Sequence, residues 1–231
     1  LSQINIVTLL LMVGALACAR RGHDWAGGFW LGLAVLIKIS PGLLVVWFAL
    51  KRRGRVVIAA LATLLLAGPI SDAAIYGPQQ TIEHYGYWLH TARTAGSQRG
   101  LVMSQTEMDW RNQGMGAVLC RWLHPTNYAL RYDNDPRLTT RDPEVTMNVA
   151  RLSLGAVANI AVGLQVVMSV LLLWLTRRPA RELSDRQMRF EWVLYVLGML
   201  WIMPVLRAYH LIWATPAVTD DLLELAESAD P

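Results

Sequence analysis

The fold of this chain is decided by residues 25–50, which read WAGGFWLGLAVLIKISPGLLVVWFAL. The stretch holds one charge, Lys38, and basic residues stand before it and after it. Because short loops rich in Lys and Arg stay cytoplasmic, both ends are expected on that side, and the stretch must cross an even number of times. A single helix would be about 39 Å long, but Pro41 removes a backbone donor and disfavours helix at Ser40. We therefore predict a re-entrant hairpin of two half-helices, each about 18 Å long, with Lys38 at its apex.

Two glycines predict how the first half of this hairpin packs. Gly28 and Gly32 form a small-xxx-small pair, which lets one helix backbone approach another closely. A broken helix at membrane depth is tolerated only where it is packed in protein or lines a cavity. Lys38 is then expected to face a cavity. The alternative is that Lys38 snorkels from a simple tilted helix to the nearest interface.

The rest of the chain has the same membrane character. Hydrophobic residues make up 54% of it and charged residues 16%, whereas soluble domains carry about 25% charged residues. Further apolar segments are residues 4–19, 56–76, 152–176 and 192–218. The predicted fold class is an all-α, polytopic transmembrane helical bundle with broken or re-entrant helices. It forms one domain over residues 1–219, followed by an acidic tail, 220–231, that we do not place.

Basic turns set the predicted orientation. Arg20 with Arg21, the cluster from Lys51 to Arg55, and residues 177–189 are all expected on the cytoplasmic side. Residues 77–151 then form an external region. The net charge of +4 comes from these clusters, so it indicates no nucleic-acid partner.

Polar residues within or beside the spans fall on the external side. They are Gln3, Asn5, Lys38, Asn112, Gln113, Arg121, Arg207 and His210. Ionisable residues at membrane depth are costly and usually mark a pathway or a site. Basic groups and an imidazole on one leaflet suit the phosphate of an anionic lipid such as a polyprenyl phosphate.

Each of these residues also has a plainer interpretation. Gln3 and Asn5 could cap the first helix, and His210 could be a packing histidine. Arg121 and Arg207 could bind ordinary lipid headgroups. Asn112 and Gln113 could form the solvated side of an amphipathic helix that also carries Arg121, with an apolar face of Met115, Val118, Leu119 and Trp122.

The motifs together resemble glycosyltransferase family 87, which belongs to the GT-C superfamily of integral membrane enzymes. The resemblance rests on Gln3-Ile4-Asn5, on Gly32 leading to Lys38-Ile39-Ser40-Pro41, on Asn112-Gln113 with Arg121, and on Pro204 with Arg207, Tyr209 and His210. It implies transfer of a hexose or pentose, mannose-like, from a polyprenyl-phosphate donor to a lipid or glycan acceptor. The active face would be the periplasmic or extracellular side of a bacterial plasma membrane.

The resemblance also implies an inverting mechanism with no metal and no cofactor. The general base of such enzymes is an aspartate of the first external loop, which we expect, together with the first helices, upstream of Leu1. Asp109 and Asp72 are weaker candidates for a base. Asp133 and Asp135 form an Asp-x-Asp pattern that could hold a metal, but the Pro that follows favours a turn.

One rival function remains open. Two broken apolar segments, at Lys38 and at Pro204, are also typical of a secondary transporter built from repeats. A transporter or flippase for a lipid-linked sugar or an anion would move its substrate without forming a glycosidic bond.

Overall fold

The computed structural model describes residues 2–95, 112–125 and 148–202, with the single residues 210 and 215. All regular elements in these ranges are helical, which confirms the all-α prediction. They are α1 (Ser2–Arg20), α2 (Asp24–Ile37), α3 (Gly42–Leu50), α4 (Gly54–Leu65), α5 (Ser71–Tyr76), α6 (Pro78–Ala95), α7 (Met115–Leu123), α8 (Leu154–Leu175) and α9 (Asp185–Ile202). A π-helical segment, Leu66–Ile70, joins α4 to α5, and a 3-10 turn, Ala180–Glu182, precedes α9.

Among the residues that the structure describes, two helical stretches are long and apolar enough to cross a membrane, and the first of them is kinked at Gly68. They are Gly54–Tyr76, which includes α4 and α5, and Leu154–Leu175. The apolar helices Ile4–Arg20 and Asp24–Ile37 are shorter. The last predicted apolar segment differs most, because α9 begins at Asp185, inside the basic stretch that we expected to be a turn.

The chain divides into two compact units. Unit 1 comprises Leu1–Tyr85, Ser169–Leu200 and Tyr209–Pro231, and unit 2 comprises Gly86–Met168 and Trp201–Ala208. The domain bounds 1–219 and the external region 77–151 stay predictions. We describe each unit by itself.

The predicted hairpin with its break near Lys38 is confirmed in unit 1, and its re-entrant placement in a membrane stays a prediction. Helix α2 ends at Ile37, Lys38 is extended, and α3 begins at Gly42 after a tight turn. At 1.5 Å per residue the two half-helices are about 21 and 14 Å long, both too short to cross the hydrocarbon layer. Because α2 and α4 run in the same direction, as the glycine contacts show, α3 must bring the chain back.

Glycines set the packing on both sides of α2. A Cβ on Gly28 would lie 2.3 Å from the Val56 carbonyl oxygen, and a Cβ on Gly32 would lie 2.6 Å from the Thr63 Cβ. The predicted small-residue contact is therefore real, and its neighbour is α4. Gly27 faces α1 instead, because a Cβ there would lie 2.9 Å from the Ala15 carbonyl oxygen of that helix. Helix α2 is thus held between two helices at backbone distance.

A buried ion pair closes the end of unit 1 that is remote from Lys38. Lys51 is 2% exposed, and its ammonium group is paired with the Glu191 carboxylate of α9. Lys51 Nζ also donates to the carbonyl oxygens of Thr176 and Arg178, both at 2.7 Å. Trp47 Nε1 donates to Glu191 Oε2 at 3.3 Å. All three ammonium donors therefore have acceptors.

The three basic turns lie at this same end, which we call the basic end. Arg53 Nη1 is 3.1 Å from Asp24 Oδ1, so the second turn contacts the start of α2 beside the first. Arg20 Nη2 is 3.5 Å from Asp185 Oδ2 of the third. The hairpin therefore begins and ends at the basic end, as the charge pattern predicted, and its apex lies at the other.

Unit 2 corrects the predicted face of α7. The buried side of this helix is its small-residue side, where Cys120 packs with Val157 and Ala158 of α8. Leu119 packs against this cluster as predicted, and Met115 and Val118 are half-buried. Trp122 is 56% exposed, so the prediction was wrong for this residue. The small residues were missed because they let two helices approach each other, which a count of large apolar residues does not detect.

Candidate functional site

The apex of the hairpin, residues 38–42, is where α2 gives way to α3. The Lys38 backbone N–H still donates to the Ala34 carbonyl at 3.0 Å, so α2 closes normally before the chain extends. The Gly42 N–H then donates to the Ile39 carbonyl at 2.9 Å and starts α3. Pro41 occupies the position before α3, where its fixed φ is compatible with helix and its missing donor is harmless. Lys38 is therefore the first residue after α2 and has an extended backbone.

Lys38 is held by a buried amide of α1. Its Nζ donates to Asn5 Oδ1 at 3.3 Å, and Asn5 is 3% exposed. The two residues are 33 positions apart, but α1 and α2 are antiparallel, which brings the start of α1 to the end of α2. Two predicted site residues are therefore brought together. Asn5 lies inside α1 and its side chain accepts a hydrogen bond from Lys38. It therefore does not have the helix-capping role that was the plainer interpretation.

Ser40 is a polar group of the apex that sequence reasoning quoted but did not select. Its Oγ is buried and has no hydrogen-bond partner among the residues that the structure describes. Leaving a buried hydroxyl unpaired costs about 1–3 kcal/mol, so a bound polar ligand would relieve this cost. The available signal was its position, immediately before a proline in a broken helix. The apex therefore offers a cation and a hydroxyl within three residues.

The second predicted cluster lies in unit 2, in the approach to α7. Asn112 and Gln113 precede this helix and are not on it. Arg121 Nη1 donates to the Asn112 carbonyl at 2.7 Å, and Nη2 donates to Gln113 Oε1 at 3.2 Å. Asn112 Oδ1 accepts the Gly114 N–H at 2.9 Å. Arg121 thereby orders the Asn-Gln segment, and its role toward a lipid phosphate stays a prediction.

A buried thiol follows in the same helix. Burial raises the pKa of the Cys120 thiol to about 11, while the charge of the neighbouring Arg121 acts in the opposite direction. The thiol is therefore protonated at neutral pH. Its packing, and not its reactivity, accounts for its place in the fold.

The remaining site predictions are placed only in part. His210 is 5% exposed, whereas Arg207 and Asp109 lie outside the described residues, as do Asp133 and Asp135. The backbone of Gln3 lies in α1, but its side chain is outside the description. No group of three or more His, Cys, Asp or Glu side chains that could hold a metal occurs within residues 2–95, 112–125 and 148–202.

Asp72 lies at the end of the Gly54–Tyr76 helix that is remote from the basic turns. Its Oδ2 accepts a hydrogen bond from the Tyr85 hydroxyl at 3.0 Å. Loss of hydration, followed by this hydrogen bond and the negative charge of Asp72, raises the pKa of the Tyr85 phenol. The role of Asp72 as a base stays a prediction.

Comparison with known proteins identifies the chain's relatives. It is 30% identical over 89 residues to the polyprenol-phosphate-mannose-dependent alpha-(1-2)-phosphatidylinositol mannoside mannosyltransferase of Mycobacterium tuberculosis, covering 38% of this chain and 19% of that protein. It is 30% identical over 91 residues to the protein of the same name from Mycolicibacterium smegmatis, covering 39% and 19%. No solved structure matches. The sequence model described as Glycosyltransferase family 87 matches residues 1–204, and the chain belongs to that family.

Proposed function

We propose that this chain is part of a membrane glycosyltransferase that moves a hexose or pentose, mannose-like, from a polyprenyl-phosphate donor to a lipid or glycan acceptor. Membership of glycosyltransferase family 87 supports the reaction class, and the printed names of the two mycobacterial relatives support the donor. The observation that carries the proposal is the Lys38–Asn5 contact at the apex of the re-entrant hairpin. The matched segments span 19% of each relative, so the activity of the whole protein is part of the proposal.

The proposed role of the apex is to hold the donor phosphate. An ammonium group at membrane depth is costly unless an anion offsets it, and a phosphate is the anion that the donor brings. Asn5 accepts a hydrogen bond from Lys38 Nζ and thereby fixes the position of the ammonium group. The unpaired hydroxyl of Ser40 supplies a further donor for a phosphate oxygen.

The proposed chemistry needs that cation most in the transition state. An acceptor hydroxyl attacks the anomeric carbon of the sugar, a base removes its proton, and the bond to the phosphate oxygen breaks. Negative charge then grows on the departing polyprenyl phosphate, where the Lys38 ammonium stabilises it. A fixed cation in this place performs the charge stabilisation that a metal ion supplies elsewhere, in keeping with the expected independence of metals and cofactors.

The proposed location is a bacterial plasma membrane, with the apex on its periplasmic or extracellular side. The basic turns lie together at the other end of unit 1, and such turns favour the cytoplasmic side. The acceptor is proposed to be a glycolipid or glycan reached from the same side. The mannoside acceptor in the relatives' names belongs to those proteins.

The test is sugar transfer by membranes that contain the full-length protein. Radiolabelled polyprenyl-phosphate mannose is supplied with a glycolipid acceptor, and the labelled product is extracted. We expect Lys38→Gln to lower the rate about 100-fold or more, because removing one donor to a developing oxyanion typically costs that much. Asn5→Ala should lower it about tenfold with a smaller change in KM, because Nζ loses its position.

Arg55→Gln is the matched control, since this exposed residue of the basic end loses the same charge far from the apex. Wild-type transfer by Lys38→Gln would overturn the site assignment. Movement of the donor across proteoliposomes by the wild type, with no glycosidic product, would overturn the enzyme in favour of a transporter.

A further inference from the structure

Helix α6 begins directly after the apolar stretch Gly54–Tyr76, at the end of that stretch that is remote from the basic end. The stretch holds 23 residues, which give about 35 Å of helix at 1.5 Å per residue, enough for a hydrocarbon layer of about 30 Å. Gly77, with φ of 86°, then ends the helix. Pro78 occupies the first position of α6, where its missing N–H is harmless. The chain therefore enters α6 at the level of the lipid headgroups.

Helix α6 has one apolar face, and that face is exposed. Ile82, Tyr85 and Leu89 follow the i, i+3, i+7 spacing that puts side chains on one side of a helix. They are 73%, 39% and 44% exposed, and Trp88 beside them is 53% exposed. The opposite side carries the exposed residues Gln79, Gln80, Glu83 and Tyr87. Large apolar side chains grouped on one exposed face mark an interaction surface.

A hydrogen bond shows which way this apolar face points. The Tyr85 hydroxyl donates to Asp72 Oδ2 at 3.0 Å, and a Cβ on Gly68 would lie 3.4 Å from the same hydroxyl oxygen. Asp72 and Gly68 stand four and eight positions before Tyr76, which is roughly one and two helical turns back along the membrane-crossing stretch. Tyr85 therefore reaches from the apolar face toward the membrane interior. Ile82 and Leu89 share its side of α6 and point the same way.

The direction and chemistry of the apolar face favour the bilayer as its partner. The face is uncharged, and it continues without a linker from a stretch able to cross the membrane. Aromatic rings with a polar tip, such as those of Tyr85 and Trp88, collect at the headgroup level of a membrane. A soluble partner would approach from the water, and the side of α6 turned to the water is the polar one.

We propose that α6 lies along the membrane surface, with Ile82, Tyr85 and Leu89 inserted at the headgroup level of the bilayer and its polar side in water. Interfacial helices of this kind bury their apolar side about 5–10 Å into the boundary between headgroups and acyl chains. Leu36, two residues before Lys38, also lies beside Gly68, because a Cβ there would be 3.4 Å from Leu36 Cδ2. The depth of α6 therefore also sets the depth of the hairpin apex. This anchor does not depend on the proposed transfer reaction.

The test measures the depth of single fluorescent labels in the full-length protein, reconstituted in phosphatidylcholine nanodiscs. Ile82→Cys and Gln80→Cys each carry a bimane label, with every native cysteine replaced by alanine, Cys18 and Cys120 among them. The two labelled positions are only two residues apart but lie on opposite sides of α6, and both are exposed. We expect the label at position 82 to lie about 10 Å deeper than the label at position 80. Lipid brominated near the top of its acyl chains should quench the first, and iodide in the water should quench the second.

Leu89→Cys is the matched repeat, because seven positions return to the same face, and its label should behave like the label at position 82. Equal quenching at positions 80 and 82, by either quencher, would overturn the proposal. Protection of the label at position 82 from both quenchers would show that another protein segment or a second copy covers the face, which would also overturn it. Quenching of the label at position 89 by iodide would contradict the proposed orientation of α6.

Discussion

Replacing Lys51 by methionine tests the buried ion pair at the basic end. The substitution keeps an unbranched apolar chain but leaves the Glu191 carboxylate, whose side chain is 10% exposed, without its counter-charge. It also removes the donor from two carbonyl oxygens at 2.7 Å. Breaking a buried pair from one side costs about 3–5 kcal/mol, whereas an interhelical hydrogen bond in a membrane averages about 0.6 kcal/mol. The charge decides the outcome, and we expect a loss of about 4 kcal/mol of unfolding free energy.

Reversible unfolding of the purified protein in mixed micelles measures this loss. The double variant Lys51→Met/Glu191→Leu should recover about 2 kcal/mol, because no buried charge is left uncompensated. Arg55 is an exposed basic residue four positions further along the chain, and Arg55→Met should change the unfolding free energy by less than about 0.5 kcal/mol. A Lys51→Met variant as stable as Arg55→Met, or a double variant worse than the single one, would refute the reasoning.

Three further outcomes are expected. Gly32→Leu should prevent folding of the protein in micelles. Gly14 has open space around it, so Gly14→Leu should unfold near the wild-type temperature. Equal behaviour of the two variants would contradict the packing of α2. With a pKa of about 11, the Cys120 thiol is about one part in a thousand thiolate at pH 8, so maleimide should label it slowly. The labelling rate should rise about tenfold for each pH unit up to the pKa. Fast labelling at pH 8 would contradict the burial of the thiol. In intact cells an impermeant maleimide should label Gln113→Cys, and should label Arg178→Cys only after permeabilisation; the reverse pattern would invert the proposed orientation.

The hairpin could be predicted because its signals are local. Pro41 interrupts helix wherever it stands, and the spacing of Gly28 and Gly32 places both on one face of α2. Basic residues on both sides of residues 25–50 indicated that this stretch begins and ends at the same end of the bundle. Each of these inferences needs only residues that are close in sequence.

The rest depends on partners that are distant in sequence. Lys51 looked like one more cytoplasmic charge, yet it pairs with Glu191, 140 positions later, and no local pattern indicates this. Arg121 was predicted to bind a lipid phosphate, which stays a prediction; its guanidinium also folds back onto Asn112 and Gln113, nine and eight positions earlier. For Lys51 the position of the acceptor is set only by tertiary packing.

The fit of α2 between its neighbours makes this helix intolerant of changes in length. The glycine contacts fix its rotation, and the six positions from Gly32 to Lys38 then fix the direction in which the apex points. One inserted residue would turn everything beyond it by about 100° and advance it by 1.5 Å, carrying the ammonium away from Asn5. Insertions and deletions between these two residues should therefore be rarer among functional variants than substitutions at the same positions.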